Sequence, residues 1–279
     1  MEINLGQSIV PAKPEDFEYF RSLCHNEEGW ELHFNEDVTV HSRNFPGSTT
    51  KCLRARGLVR GKSADVIFDC LCDDEYRRIW DEVAVELYDI CYLDKNSAIG
   101  YYCLKCPFPF QNRDFVFQRT WKNISDGCIV MNHSVEIPSH PPVSGVVRGI
   151  SLITGYHVAN VEEGCIATFL SHSDMRVALP QWLCNKVGTY LAPGAFRNMY
   201  GAVEGYEEWK STHNPEYKPW RFEEHRTIQN YADPALLSKW GFPPPPNCLQ
   251  EKEILVDNPD SDTESFHSAD EALYSKEHN

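Results

Sequence analysis

The chain has 279 residues, 42% hydrophobic and 12% aromatic, enough for one large domain or two small ones with a sizeable core. Its net charge of −15 argues against a general nucleic-acid binder. No run of about 18 apolar residues stands in it, so no transmembrane helix is expected, and the opening MEINLGQSIVPAKPEDFEYF lacks the basic-then-apolar order of a secretory signal.

Residues 1–13 read as a flexible leader. Pro14–Asn26 places Phe17, Phe20, Leu23 and Cys24 at helical spacing, with acids in its first turn. Three segments rich in β-formers follow, GWELHFN (29–35), DVTVHSR (37–43) and KCLRARGLV (51–59). The period then changes: 62–83 reads as one helix or two in tandem, with Ser63 a plausible N-cap. Six β segments come next, at 86–94, 98–106, 113–121, 127–135, 146–161 and 165–177. From Pro180 to about His213 an apolar stripe (Trp182, Leu183, Val187, Tyr190, Leu191, Phe196, Met199, Val203, Tyr206) marks a long helix, and Pro193-Gly194 predicts a kink in it. Residues 221–279 hold 12 Asp/Glu against 5 Lys/Arg and include WGFPPPPN (240–247), so they read as an acidic, Pro-containing, largely disordered tail. Helices do not alternate with strands. The fold class is therefore α+β with an antiparallel sheet.

The 11 cysteines are odd in number and scattered, which suits free thiols in a reducing, cytoplasmic compartment. Cys103 and Cys106 form a Cys-x-x-Cys at the head of CLKCPFPFQNRDFVFQRTW. On a strand they face opposite sides, so they make a poor metal clasp, and Pro107 and Pro109 block the helix a redox pair would open. No metal site and no cofactor is expected. Catalytic signatures such as G-x-S-x-G or H-E-x-x-H are absent from the sequence, so an enzyme is not expected.

DDEYRRIWD (73–81) is more telling. Arg77 and Asp81 stand i, i+4, beside the aromatic pair Tyr76 and Trp80. One reading is a surface ion pair over a core aromatic; the other aims Arg77 into a cavity, where a guanidinium fork suits a phosphate. Pro107, Phe108, Pro109 and Phe110 form a Pro-stiffened apolar loop, read either as tucked on the core or as a lid that meets a bilayer. In the tail, Ser261 and Ser268 each precede an acid by three residues, which resembles the acceptor pattern of an acidophilic kinase, casein kinase 2.

Together GWELHF, DDEYRRIWDEVAVELYDI, IGYYCLKCPFPFQNRDFV, MNHSV, VRGISLITGY and LPQWLCNKVGTYLAPGAFRNMY resemble the StAR-related lipid transfer (START) domain family, most closely its phosphatidylcholine-transfer-protein (PCTP-like) subgroup, over about residues 14–220. The resemblance implies a helix-grip fold, with a curved nine-stranded antiparallel sheet around a long C-terminal helix and a tunnel for one lipid. It implies Arg77 as the phosphate contact with Asp81 as its neighbour. An aromatic cage would fall on Tyr102, on Phe115 and near Leu152, with Tyr156 a few residues on. It makes 107–110 the gating loop, and the last helix, through Trp182, Tyr190, Pro193 and Met199, a lid. The implied partners are phosphatidylcholine or phosphatidylethanolamine and a transient membrane surface, with no chemistry done. The alternative is a lipid sensor whose cargo controls docking of a partner. A lipid-modifying enzyme comes third.

Overall fold

The structure, a computed structural model, describes residues 9–106, 108, 110–176 and 191–227. Helix α1 (Pro14–His25) buries Phe17, Phe20, Leu23 and Cys24, the stripe its spacing predicts. Strands β1 (Glu31–Asn35), β2 (Val38–Asn44) and β3 (Lys51–Arg60) follow. Helices α2 (Ala64–Cys72) and α3 (Asp74–Trp80) lead into β4 (Ala84–Asp94), β5 (Ser97–Leu104), β6 (Asn112–Ile124) and β7 (Gly127–Ser134). Then come β8 (Val146–Arg148), β9 (Ile150–Val161), β10 (Gly164–Asp174) and α4 (Ala192–Thr212), with a 3-10 turn at Glu223–His225.

All these strands join one sheet. Its path runs β1-β2-β3-β10-β9-β7-β6-β5-β4, antiparallel at every step. These are the nine antiparallel strands expected. β8 is an addition, lying parallel to the start of β6 at Asn112–Asp114. Three register shifts interrupt the β4–β5 ladder, and such irregularities bend a strand and deepen its twist. The sheet thereby curls around helices. Val38 and Val40 of β2 share one apolar cluster with Tyr92 and Ala98 of β4 and β5, at opposite ends of the strand order. Ile67 and Phe68 of α2 and Phe196, Met199 and Val203 of α4 fill that cluster's middle. At Gly57 of β3 a Cβ would stand 2.7 Å from the Phe196 ring, so α4 lies directly on the sheet.

Buried polar bonds fix α4 to its neighbours. Lys210 Nζ and the Tyr206 hydroxyl donate to Asp73 Oδ2 at 2.8 and 3.2 Å, and the Tyr76 hydroxyl donates to the Ala202 carbonyl at 2.8 Å. Asp73 also separates the two tandem helices. Extended at φ −81° and ψ 96°, it ends α2 and caps α3, its Oδ1 accepting the Tyr76 N–H at 3.2 Å. The segment 62–83 is thus two helices.

Several expectations shift. Ser63 stands at the N-cap of α2 but makes no side-chain cap bond; the Ala64 N–H goes instead to Asn160 Oδ1 at 2.9 Å. The segment 146–161 divides at Gly149, whose N–H bonds the Asp114 carbonyl at 2.9 Å. The leader expected over 1–13 is anchored from Ile9, which is 1% exposed, while the Val10 carbonyl accepts from Gln118 Nε2 at 2.8 Å. The first residues of the expected tail, up to 227, are also held to the fold. Arg221 Nη2 bonds Asp65 Oδ1 at 2.9 Å, Arg226 Nη2 bonds the Lys95 carbonyl at 2.6 Å, and the Arg226 guanidinium lies 3.9 Å over the Tyr92 ring. Pro193 sits buried in the first turn of α4, and the upstream half of the expected kink lies outside the described residues.

Candidate functional site

Helix α3 is short, and its last turn carries Arg77 and Arg78. Their side chains part company. Arg78 Nη2 donates to the Leu87 carbonyl at 2.7 Å and staples the helix to β4. Arg77 turns to the concave side, where its Nε donates to Asp81 Oδ2 at 3.1 Å. The Tyr102 hydroxyl donates to the same oxygen at 3.0 Å. The guanidinium carbon lies 5.2 Å from the Tyr102 ring centroid and 5.8 Å from that of Trp80. These contacts speak against the surface-pair reading of YRRIWD. Asp81 is only 8% exposed, so this is no surface pair.

The electrostatics agree. Burial alone would lower the Arg77 pKa, but the Tyr102 phenol and the Asp81 carboxylate outweigh it and hold the charge more firmly than in water. Burial raises Tyr102, with Arg77 opposing and Asp81 adding to the rise. Tyr156 is pushed up to about 12 by burial, while the positive Arg77 pulls the other way. Yet the Arg77 side chain keeps 28% of its surface accessible. Asp81 occupies the Nε edge of the fork. A guanidinium fork suits a planar or tetrahedral anion, which it binds in bidentate fashion.

Strand alternation sets the walls. Tyr102 and Phe115 are paired across β5 and β6 and so share a face. Phe115 tucks over Gly149, where a Cβ would stand 2.5 Å from its ring. Tyr101 and Cys103 point to the outer face, into a separate cluster with Ile9 and Val116. Cys103 is thus a core thiol, and Cys106 lies beyond the end of β5 at Leu104. Thr154 and Tyr156 share the concave face of β9 by the period of two, and a register shift opposite His172 and Ser173 interrupts that period at Leu152. Tyr156 also tilts against Phe169, with centroids 4.9 Å apart. Gly155 between them admits β7 closely, since a Cβ there would stand 2.1 Å from the Val130 carbonyl oxygen.

At the mouth, Phe108 is 89% exposed and Phe110 is half-buried, with the Arg113 guanidinium 5.9 Å from its ring. The Lys105 N–H bonds the Val83 carbonyl at 2.8 Å and pins the loop's base to the residue just before β4. Met199, expected in the lid, is fully buried and packs as core, so α4 at this point is anchored. Pro107, Pro109, Trp182, Tyr190, Ser261 and Ser268 lie outside the described residues. Sequence reasoning missed two polar groups on the concave face. One is Arg119, chelating Asp89 at 2.9 and 3.0 Å with Asp74 3.3 Å away. The other is a run of hydroxyls on β9 and β10, at Ser151, Thr154, Ser171 and Ser173. Alternating polar residues in LSHSD were the available sign.

A sequence profile of the START domain matches residues 13–208. START domain-containing protein 10 of Mus musculus is 35% identical over 230 residues, covering 81% of this chain and 79% of that protein. Phosphatidylcholine transfer protein of Mus musculus is 26% identical over 157 residues, covering 54% of this chain and 72% of that protein. The crystal structure of human STARD10 superposes with a TM-score of 0.78 at 35% identity, covering 85% of this chain and 96% of that chain.

Proposed function

The chain belongs to the START domain family, and on that footing we propose that it carries one phospholipid between membranes, held under α3 and α4, with no bond of the lipid made or broken. The observation that carries this reading is Arg77, enclosed by Asp81, Tyr102 and Tyr156 yet with part of its side chain reachable. A zwitterionic phosphodiester fits there, its phosphate on the guanidinium fork and its ammonium among Tyr102, Phe115 and Tyr156. The name of the phosphatidylcholine transfer protein supports phosphatidylcholine as one cargo, and phosphatidylethanolamine brings the same phosphate.

Physical chemistry sets the rest. Each buried CH₂ contributes roughly 0.8 kcal/mol, so two long acyl chains cost on the order of 20 kcal/mol to expose to water. The lipid therefore enters and leaves only against a bilayer. Ile79 (60% exposed), Val83 (50%), Val85 (56%) and Phe108 (89%) are exposed apolar side chains, and the Val83 carbonyl holds the base of the loop that carries Phe108. We assign these exposed side chains to transient contact with membranes.

The test is Arg77→Leu in vesicle-to-vesicle transfer of fluorescent phosphatidylcholine. A charge-assisted hydrogen bond contributes about 1.5–3 kcal/mol, so transfer should fall roughly 10- to 100-fold. A folded variant that transfers at the normal rate overturns the assignment.

A further inference from the structure

The sheet path leaves β4 as an edge, and that edge is apolar at one end. Val85 of β4, Val83 just before it and Ile79 of α3 are all half or more exposed. A crevice of about 370 Å³ opens there, lined by Arg78 and residues 84–88. An edge strand is a template for another strand, and proteins guard it with charge. Here Arg78 Nη2 takes the Leu87 carbonyl at 2.7 Å, so an added ladder meets a guanidinium along the edge. Burial of the apolar side chains remains open to an occupant.

The chain brings one to the place. Arg226 Nη2 donates to the Lys95 carbonyl at 2.6 Å, and its guanidinium lies 3.9 Å over the Tyr92 ring. Thr227, the last described residue, therefore departs beside the turn that ends β4. β4 is 11 residues long, and two extended segments rise by the same ~3.3 Å per residue. A segment running back along β4 from Thr227 beside Lys95 would bring Leu236 and Leu237 opposite Glu86 and Val85. Lys239 would come opposite Val83, between the carboxylates of Glu82 and Glu86, with Trp240 and Phe242 toward Ile79. The apolar cluster of the segment thus falls on the apolar cluster of the edge. Its charge suits the place as well. Residues 228–242 hold one Asp and one Lys, whereas 243–279 hold 9 Asp/Glu against 2 Lys, which the acidic edge would repel. Pro234 is no obstacle, since a proline is tolerated in an outermost strand.

We propose that residues 228–242 dock along the edge of β4 and cover Ile79, Val83 and Val85. The side chains assigned to membrane contact are then withheld until the segment lifts. This rests on the carrier reading and adds to it a control over when the carrier meets a bilayer. Tethered at Thr227, the segment stands at an effective concentration on the order of millimolar. A weak contact then closes the edge most of the time, and apparent affinity for a bilayer falls to the fraction left open.

The test reads hydrogen exchange of the full chain by mass spectrometry at residues 79–88, against the double variant Leu236→Asp, Leu237→Asp. Exchange there should quicken roughly 3- to 10-fold in the variant, while β7 and β9 keep their native rates. Affinity for phosphatidylcholine vesicles, read by sedimentation, should rise by a similar factor, roughly 3- to 10-fold. If β7 and β9 also quicken, Leu236→Ala, Leu237→Ala replaces the first pair. Native exchange at 79–88 in the variant, or vesicle binding no tighter than native, overturns the cover, and weaker binding makes the segment itself a membrane contact. Protection of 79–88 that fades when the native protein is diluted assigns the edge to a second copy of the chain and overturns the cover too. Adding Val85→Asp to the leucine variant tests the carrier reading separately. Vesicle binding that this third change does not lower places membrane contact elsewhere and removes the withholding role, while exchange still reports whether the segment docks.

Discussion

Replacing Lys210 by Met removes one half of the ion pair that ties α4 to the tandem helices. Lys210 and Asp73 side chains are 6% and 3% exposed, so the lysine contact lies out of water. Breaking a buried pair from one side costs about 3–5 kcal/mol, because the remaining charge is stranded. Asp73 would not be wholly stranded, since the Tyr206 hydroxyl and the Tyr76 N–H still donate to it at 3.2 Å each. The low end, about 3 kcal/mol, is therefore expected. At roughly 2–4 °C per kcal/mol for a domain of this size, the midpoint of thermal unfolding should fall by about 6–12 °C. Urea unfolding of native, Lys210→Met, Asp73→Asn and double variants gives the coupling directly. The double variant should recover most of the loss, because a neutral pair leaves no charge behind. Lys210→Met losing less than about 1 kcal/mol would refute the reasoning, as it would mean the pair gives back only what its dehydration cost.

Two further outcomes follow from particular side chains. His157 is 1% exposed, and its pKa is pushed down to about 4 by burial and by the neighbouring His25. The unfolded histidine titrates near 6.5, so its stabilising share is full above that pH and drains as pH falls toward 4. Between pH 7 and 5 the loss should be about 2 kcal/mol at 1.36 per pH unit, and His157→Phe should remove it; identical pH dependence in both proteins rejects the assignment. Among the exposed apolar side chains, Val85→Asp and Phe108→Asp should each weaken sedimentation with phosphatidylcholine vesicles several-fold, and unaltered sedimentation of both would move membrane contact elsewhere.

Local spacing made much of this legible. The stripe Phe17, Phe20, Leu23, Cys24 needs only a period of 3.6, and the split of Tyr101 from Tyr102 needs only a period of two. Arg77 and Asp81 are readable for the same reason, being one helical turn apart. Which of Arg77 and Arg78 is taken up by the sheet was not open to reading from spacing alone; it is Arg78 that meets the Leu87 carbonyl of β4. The row Asn132, Thr154, Ser171 was hidden more deeply. Period tells which face a residue takes, but only the registers of β7 with β9 and of β9 with β10 bring these three side by side. Asp73 as a helix break was hidden too, because its buried partners Tyr206 and Lys210 come from α4, far along the chain.

The junction of β3 with β10 bears on how the molecule comes into being. Its paired residues, from Cys52 with His172 to Arg60 with Gly164, stand more than a hundred positions apart along the chain. Closing so long a loop is slow compared with forming a hairpin, since entropy must be surrendered before the ladder returns anything. During synthesis β1–β3 and β4–β7 therefore emerge as two meanders with unpaired edges, and only the arrival of β9 and β10 welds them. Thr154 and Ser171 sit on those last two strands. A nascent chain thus has no complete compartment until its final strands are out of the ribosome, and cargo can be taken aboard only after that.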